Sequence, residues 1–169
     1  MPGALWRNFE RVAKEQSSYP AFIQGDHYLT FAEVRERAVW AGSRLIARGL
    51  RPGDRCLVWA ANAPDVAAAL LGCWFAGAVV VIVNDEAPLH HVQHASAVTQ
   101  PTFILADETC LSKLADQAGC PILAIAEAIA PARPAEASGT IDDHQPASIF
   151  LPRVRRGALR ALHNRTLTS

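Results

Sequence analysis

The chain has no net charge to offer a partner. Its sixteen Lys and Arg residues cancel sixteen Asp and Glu, which removes the global field that draws proteins to nucleic acid or to anionic membranes. No C-x-x-C spacing joins its four cysteines, Cys56, Cys73, Cys110 and Cys120. Cys56 and Cys73 fall inside apolar segments, where a free thiol behaves as a small hydrophobe, so the pattern fits a reducing cytoplasm. The N-terminus lacks the apolar run and small-residue cleavage site of a secretory signal, since Arg7, Glu10, Arg11, Lys14 and Glu15 interleave there. Acids are missing altogether from 151–169, which holds Arg153, Arg155, Arg156, Arg160 and Arg165, leaving eleven basic against sixteen acidic residues before it.

What is present is the balance of a folded protein: 169 residues, half of them hydrophobic and 19% charged, enough for one domain with its own core. The stretch Val66 to Val83 has no charged side chain and reaches the length of a membrane span. Its two halves differ, however. Val66 to Phe75 is rich in alanine and leucine and favours helix, Gly77 suits a helix end, and Ala78 to Val83 is β-branched. A buried helix followed by a buried strand accounts for that change, and no basic anchors flank the stretch, so no membrane span is expected.

Along the rest of the chain, Leu5, Phe9 and Val12 recur at helical spacing. Pro20 to Gln24 reads as a strand, Gly25-Asp26 as a turn and His27 to Leu29 as the return. Thr30 and Glu33 form a capping box at the start of an apolar stripe, Phe31, Val34, Ala38, Ala41 and Leu45, which Gly49 ends. Arg51-Pro52-Gly53-Asp54 is a turn and Arg55 to Ala60 a strand. Asn62 is expected to cap the next helix. The strand Ala78 to Val83, a helix near Leu89 to Val98, the strand Thr102 to Ala106, a helix from Asp107 to about Ala118 and the short strand Pro121 to Ile125 follow. Alternating strands and helices, with strands apolar on both faces, predict an α/β fold around a mainly parallel sheet. Residues 1–126 then form the α/β body, 127–146 an Ala/Pro-rich linker, 147–150 one more strand and 151–169 a basic tail without pattern.

Five segments together resemble the N-terminal region of the adenylate-forming superfamily, which includes acyl-CoA synthetases, luciferases and peptide-synthetase adenylation domains. They are Leu29-Thr30-Phe31-Ala32-Glu33-Val34, Leu45 to Leu50, Arg51-Pro52-Gly53-Asp54-Arg55, Ala61-Asn62-Ala63-Pro64 and Trp74-Phe75-Ala76-Gly77-Ala78-Val79-Val80. Each marks a different cap, turn or strand of one fold, and their order matches the family's. The chain departs from the pattern at Ile82, where the family commonly has proline, and at Asn84-Asp85.

The resemblance implies an incomplete N-terminal portion of an ATP-dependent, AMP-forming carboxylate–CoA ligase, with ATP, Mg²⁺ and CoA serving the complete enzyme. After a strand like Ala147 to Phe150 the family places a loop rich in Gly, Ser and Thr, whose backbone N–H groups and hydroxyls close around phosphate oxygens. Here that place reads Leu151-Pro152-Arg153-Val154-Arg155-Arg156-Gly157. A compensated reading-frame disturbance would produce both this anomaly and the partial return of family character at His163 to Leu167. No residue of the loop carries over, so no catalytic, cofactor-binding or metal residue is assigned. The chain is expected to be inactive alone. A chain carrying the remainder of the ligase is the implied partner, and the carboxylic acid a substrate of the complete enzyme only. The alternative is a non-catalytic α/β binding module or split subunit.

Other groups read as structural. His90, His91 and His94 form H-H-x-x-H without a third ligand at a defined spacing or the Glu of H-E-x-x-H, which favours a solvated helix face. Asp85-Glu86 and Asp142-Asp143-His144 read as loop charges, and Trp40, Trp59 and Trp74 as core. Ending the sheet near Phe150 is expected to leave apolar strand faces and an unpaired edge.

Overall fold

The computed structural model describes residues 3–114, 119–135 and 146–150. The chain begins with helix α1 (Ala4–Glu15) and an antiparallel ribbon of β1 (Pro20–Gln24) and β2 (His27–Thr30). Gly25, at φ 60°, makes the turn, and Ile23 pairs with Tyr28. Helix α2 (Phe31–Ala47) starts at the expected capping box. The Thr30 hydroxyl accepts the Glu33 amide at 3.2 Å, and the Glu33 carboxylate accepts the Thr30 amide at 2.8 Å.

From there strand and helix alternate: β3 (Arg55–Ala60), α3 (Pro64–Phe75), β4 (Val79–Asn84), α4 (Leu89–Thr99), β5 (Phe103–Ala106), α5 (Glu108–Leu114), β6 (Ile122–Ala124), α6 (Ile125–Ala128) and β7 (Ser148–Phe150). The last five strands form one sheet, ordered β6-β5-β3-β4-β7, and all its pairs are parallel. The long apolar stretch divides as its composition implies, into α3 and β4, with Gly77 between them at φ 80°. No helix among the described residues is long and apolar enough to cross a membrane.

Alternation along β3 explains why the central strands are apolar on both faces. Cys56 and Val58 join a cluster with Trp6, Val34, Ala38, Leu45 and Ala69, under α1, α2, α3 and α6. Leu57 and Trp59 join Val81, Val92, Ile104, Cys110 and Leu114 on the other face, under α4 and α5. Helices therefore cover both faces of β3 and β5. Among the described residues the edge strands are β6 and β7, of three residues each, short enough to offer little template for pairing with another chain.

Several boundaries differ from the sequence reading, each for a local reason. Asn62 does not cap α3; the N-cap is Ala63, extended at φ −148°, and Pro64 opens the helix, where its fixed φ fits and its missing N–H costs nothing. In α1 the buried seam holds Trp6 and Ala13, whereas Leu5 is 46% exposed, because Trp6 stacks edge-on against Phe75 at 5.1 Å between ring centres. Trp59 is fully buried as expected, but Trp40 and Trp74 are only half-buried. Ile125 begins α6 instead of ending β6.

The stretch expected to start a linker at Glu127 is tied to α2 as far as Ala135. Arg48 pairs with Glu127 at 2.6 Å, Arg44 donates to the carbonyls of Ala130 and Pro131, and the Ser43 hydroxyl accepts the Ala135 amide at 2.8 Å. Ala128 and Ile129 are buried beneath it. The end of the expected helix to Ala118, the rest of the linker, Asp142-Asp143-His144 and the basic tail 151–169 lie outside the described residues.

Candidate functional site

In open parallel sheets ligands bind beyond the carboxyl ends of the strands, where the strand order reverses. Here that place is the end of β3, because β4 lies on one side of it and β5 on the other. Helix α3, which follows β3, packs on one face, while α4 and α5, which follow β4 and β5, pack on the opposite one. The rim there consists of Ala61-Asn62, Asn84-Asp85-Glu86 and Asp107-Glu108.

The polar groups of this rim hold its loops to one another. Asp107 accepts the Ala61 amide through Oδ2 and the Cys110 amide through Oδ1, both at 2.8 Å, so one side chain caps α5 and ties the loop after β3 to the loop after β5. Burial pushes its carboxyl up, but the two amide donors outweigh burial and hold it below the ordinary range. The Cys110 thiol is pushed up to about 12 by burial and by the neighbouring Asp107, which leaves it a poor nucleophile. The Trp59 indole N–H donates to the Asn84 carbonyl at 3.0 Å, and Asn84 Oδ1 accepts the Glu86 amide at 2.8 Å. Asp85 and Glu86 are thus part of a turn leaving β4. Lys113 sits 5.6 Å from the centre of the Trp59 ring.

Two residue pairs that carry the family resemblance also meet. The Gly53 amide donates to the Gly77 carbonyl and the Val79 amide to the Asp54 carbonyl, at 2.9 and 2.8 Å, joining the Pro-Gly-Asp turn to the Ala-Gly-Ala turn at the opposite end of the sheet from the rim. Both glycines have positive φ, 89° and 80°, which explains their residue type. Asp107 as a link between two loops was missed in the sequence; its role as a cap was legible, but its reach to Ala61 depends on sheet order.

The histidines stand on α4 with His90 and His94 exposed and the rings of His90 and His91 in edge contact, 4.4 Å apart. Among the described residues no group of three or more His, Cys, Asp or Glu is arranged to hold a metal. A groove of about 510 Å³ lies between α4 and Gly119-Cys120, at the amino end of β5, away from the rim. Its lining mixes polar and apolar residues and is open.

The family model described as AMP-binding enzyme matches residues 9–156. The chain belongs to the AMP-binding enzyme family. Among curated relatives, malformin synthetase mlfA of Aspergillus luchuensis is 30% identical over 141 residues, 83% of this chain and 3% of the relative. Among solved structures, the N-terminal subdomain of Klebsiella oxytoca NpsA superposes with a TM-score of 0.77 at 19% identity, over 92% of this chain and 40% of that one. A benzoate CoA ligase from Burkholderia xenovorans gives 0.72 at 23% identity, over 80% and 30%. These likenesses identify the fold as the first portion of the N-terminal subdomain of adenylate-forming enzymes. The chain spans about 3% of the length of the curated relative it matches.

Proposed function

We propose that this chain is the N-terminal scaffold of a carboxylate-activating unit, and that it works only together with the remainder of an AMP-binding enzyme. One observation carries the reading. At the rim where ligands bind in such sheets, Asp107 uses both carboxylate oxygens on the Ala61 and Cys110 amides, so this carboxylate fastens two loops together.

In the reaction the family resemblance implies, a carboxylate attacks the α-phosphate of ATP to give an acyl-adenylate and pyrophosphate, and a thiol then displaces AMP. Mg²⁺, when bound, offsets the charge that builds in the first step. The residues of this chain supply the sheet and the loops at its carboxyl edge. Leu151 to Gly157, standing where the family has its phosphate loop, has proline and arginines in place of the Gly, Ser and Thr that cradle phosphate. Four free thiols fit a place in the cytoplasm.

A CoA thiol as acceptor is the reading taken from the sequence. The 30% identity to malformin synthetase favours a second one, an adenylation unit of a peptide synthetase. Both share the first half-reaction, so carboxylate-dependent ATP–pyrophosphate exchange tests them together. Exchange should appear when the chain is co-expressed with the product of an adjacent reading frame that carries the remaining segments. If such a frame exists and the pair stays inactive, a separate binding module gains support instead.

A further inference from the structure

Among the described residues β7 is the outermost strand on its side of the sheet, and it has three residues, Ser148–Phe150, paired with Val80, Val81 and Ile82 of β4. A strand that short, held on one side, is expected to open locally at low cost. Its entry has a further tie. The Ala147 carbonyl accepts the Val80 amide at 3.0 Å and also the Trp74 indole N–H at 3.0 Å. Both acceptor sites of that oxygen are therefore filled, one from β4 and one from the last turn of α3, the helix that leads into β4. The Trp74 ring itself packs against the core beneath α2 and α3, so its N–H is held in place by a rigid body.

We propose that Trp74 is the latch that seats β7 on the sheet, and thus a positioning residue for the point at which the chain passes beyond Phe150. The tie of Ala135 to Ser43 is the rival device, since it fixes the chain upstream of β7. Magnitudes separate the two. Anchoring at Ala135 instead of at Pro131 shortens the connection to Ala147 by about a quarter, and because closure cost grows only with the logarithm of length this shifts β7 seating less than twofold. An ordinary hydrogen bond shifts such an opening by roughly two- to tenfold. Trp74 therefore dominates. On the proposed function it fixes the origin of the segment that stands in the place of the phosphate loop, but the latch holds or fails independently of that reading.

Hydrogen exchange on the full chain tests it. Trp74→Phe should speed exchange across residues 147–150 by about fivefold, Ser43→Ala by less than twofold, with β3 and β5 unchanged in both. Unaltered exchange at 147–150 in Trp74→Phe, a larger effect from Ser43→Ala, or equal acceleration in β3 would overturn the proposal. Should Trp74→Phe fail to fold, benzothienylalanine at position 74 keeps the indole shape and removes only the N–H, and the same outcomes apply.

Discussion

Gly42 of α2 and Gly72 of α3 face each other with no room for a side chain on either. A Cβ on Gly42 would stand 2.6 Å from the Gly72 carbonyl oxygen, and one on Gly72 would stand 2.9 Å from the Gly42 nitrogen and 2.7 Å from the Ala38 carbonyl oxygen. This contact brings α2 and α3 together over one face of the sheet, so that Ala38, Ala41, Ala68 and Ala69 share one cluster.

Gly72→Ala should therefore destabilise the fold, although alanine is the better helix former. The propensity gain is about 1 kcal/mol. The obstructing atoms are mainly backbone, which cannot turn aside, and overpacking of this kind costs about 1–3 kcal/mol or more. A net loss is expected, read as a lower urea midpoint with an unchanged slope. A variant as stable as the parent would mean that the helices separate without penalty.

Stability should fall in acid. Glu10 is held below the ordinary carboxylate range by its hydrogen bond from Arg35, Glu33 by the Thr30 amide and hydroxyl, and Asp107 by the Ala61 and Cys110 amides against the opposing effect of burial. A depressed folded pKa gives stability that is complete above the unfolded value, near 4, and that disappears as pH falls through the folded value. The urea midpoint should thus be flat from about pH 6 down to about 5 and drop below about 4. Asp107→Asn, which keeps a capping oxygen but does not titrate, should make that drop shallower.

Much of this fold was legible in the residues themselves, because caps and turns are local. Thr30-Glu33, Gly53 and Gly77 each announce a conformation that neighbours in sequence enforce. The central strands were legible because burial on both faces makes them continuously apolar. The misses were tertiary. Nothing near Leu5 says that the seam of α1 turns toward Trp6, since that depends on Phe75 of α3. An Ala/Pro-rich stretch from Glu127 looks like a linker until Ser43, Arg44 and Arg48, distant in sequence, supply its partners. At the candidate site, the type and spacing of Asp107 showed a helix cap. The strand order alone brought Ala61 to its other oxygen.

Thiol reactivity should rank by burial. Cys56, Cys73 and Cys110 are buried and Cys120 is half-buried. Burial raises the Cys120 and Cys110 thiols, and Cys56 is raised first by its hydrogen bond with Cys73 and then by burial. A maleimide reagent at neutral pH should modify Cys120 slowly and the other three only after denaturant is added. Rapid native labelling of Cys56 or Cys73 would show that the sheet and α3 part readily.

The most direct measurement is carboxylate-dependent exchange of labelled pyrophosphate into ATP by the pure chain, with Mg²⁺ and a panel of aliphatic, aromatic and amino acids. The scaffold role predicts a rate indistinguishable from the enzyme-free blank for every acid. Exchange above the blank that depends on one carboxylate and survives repeated purification would contradict it, and would mean that catalytic groups are contained in these 169 residues after all.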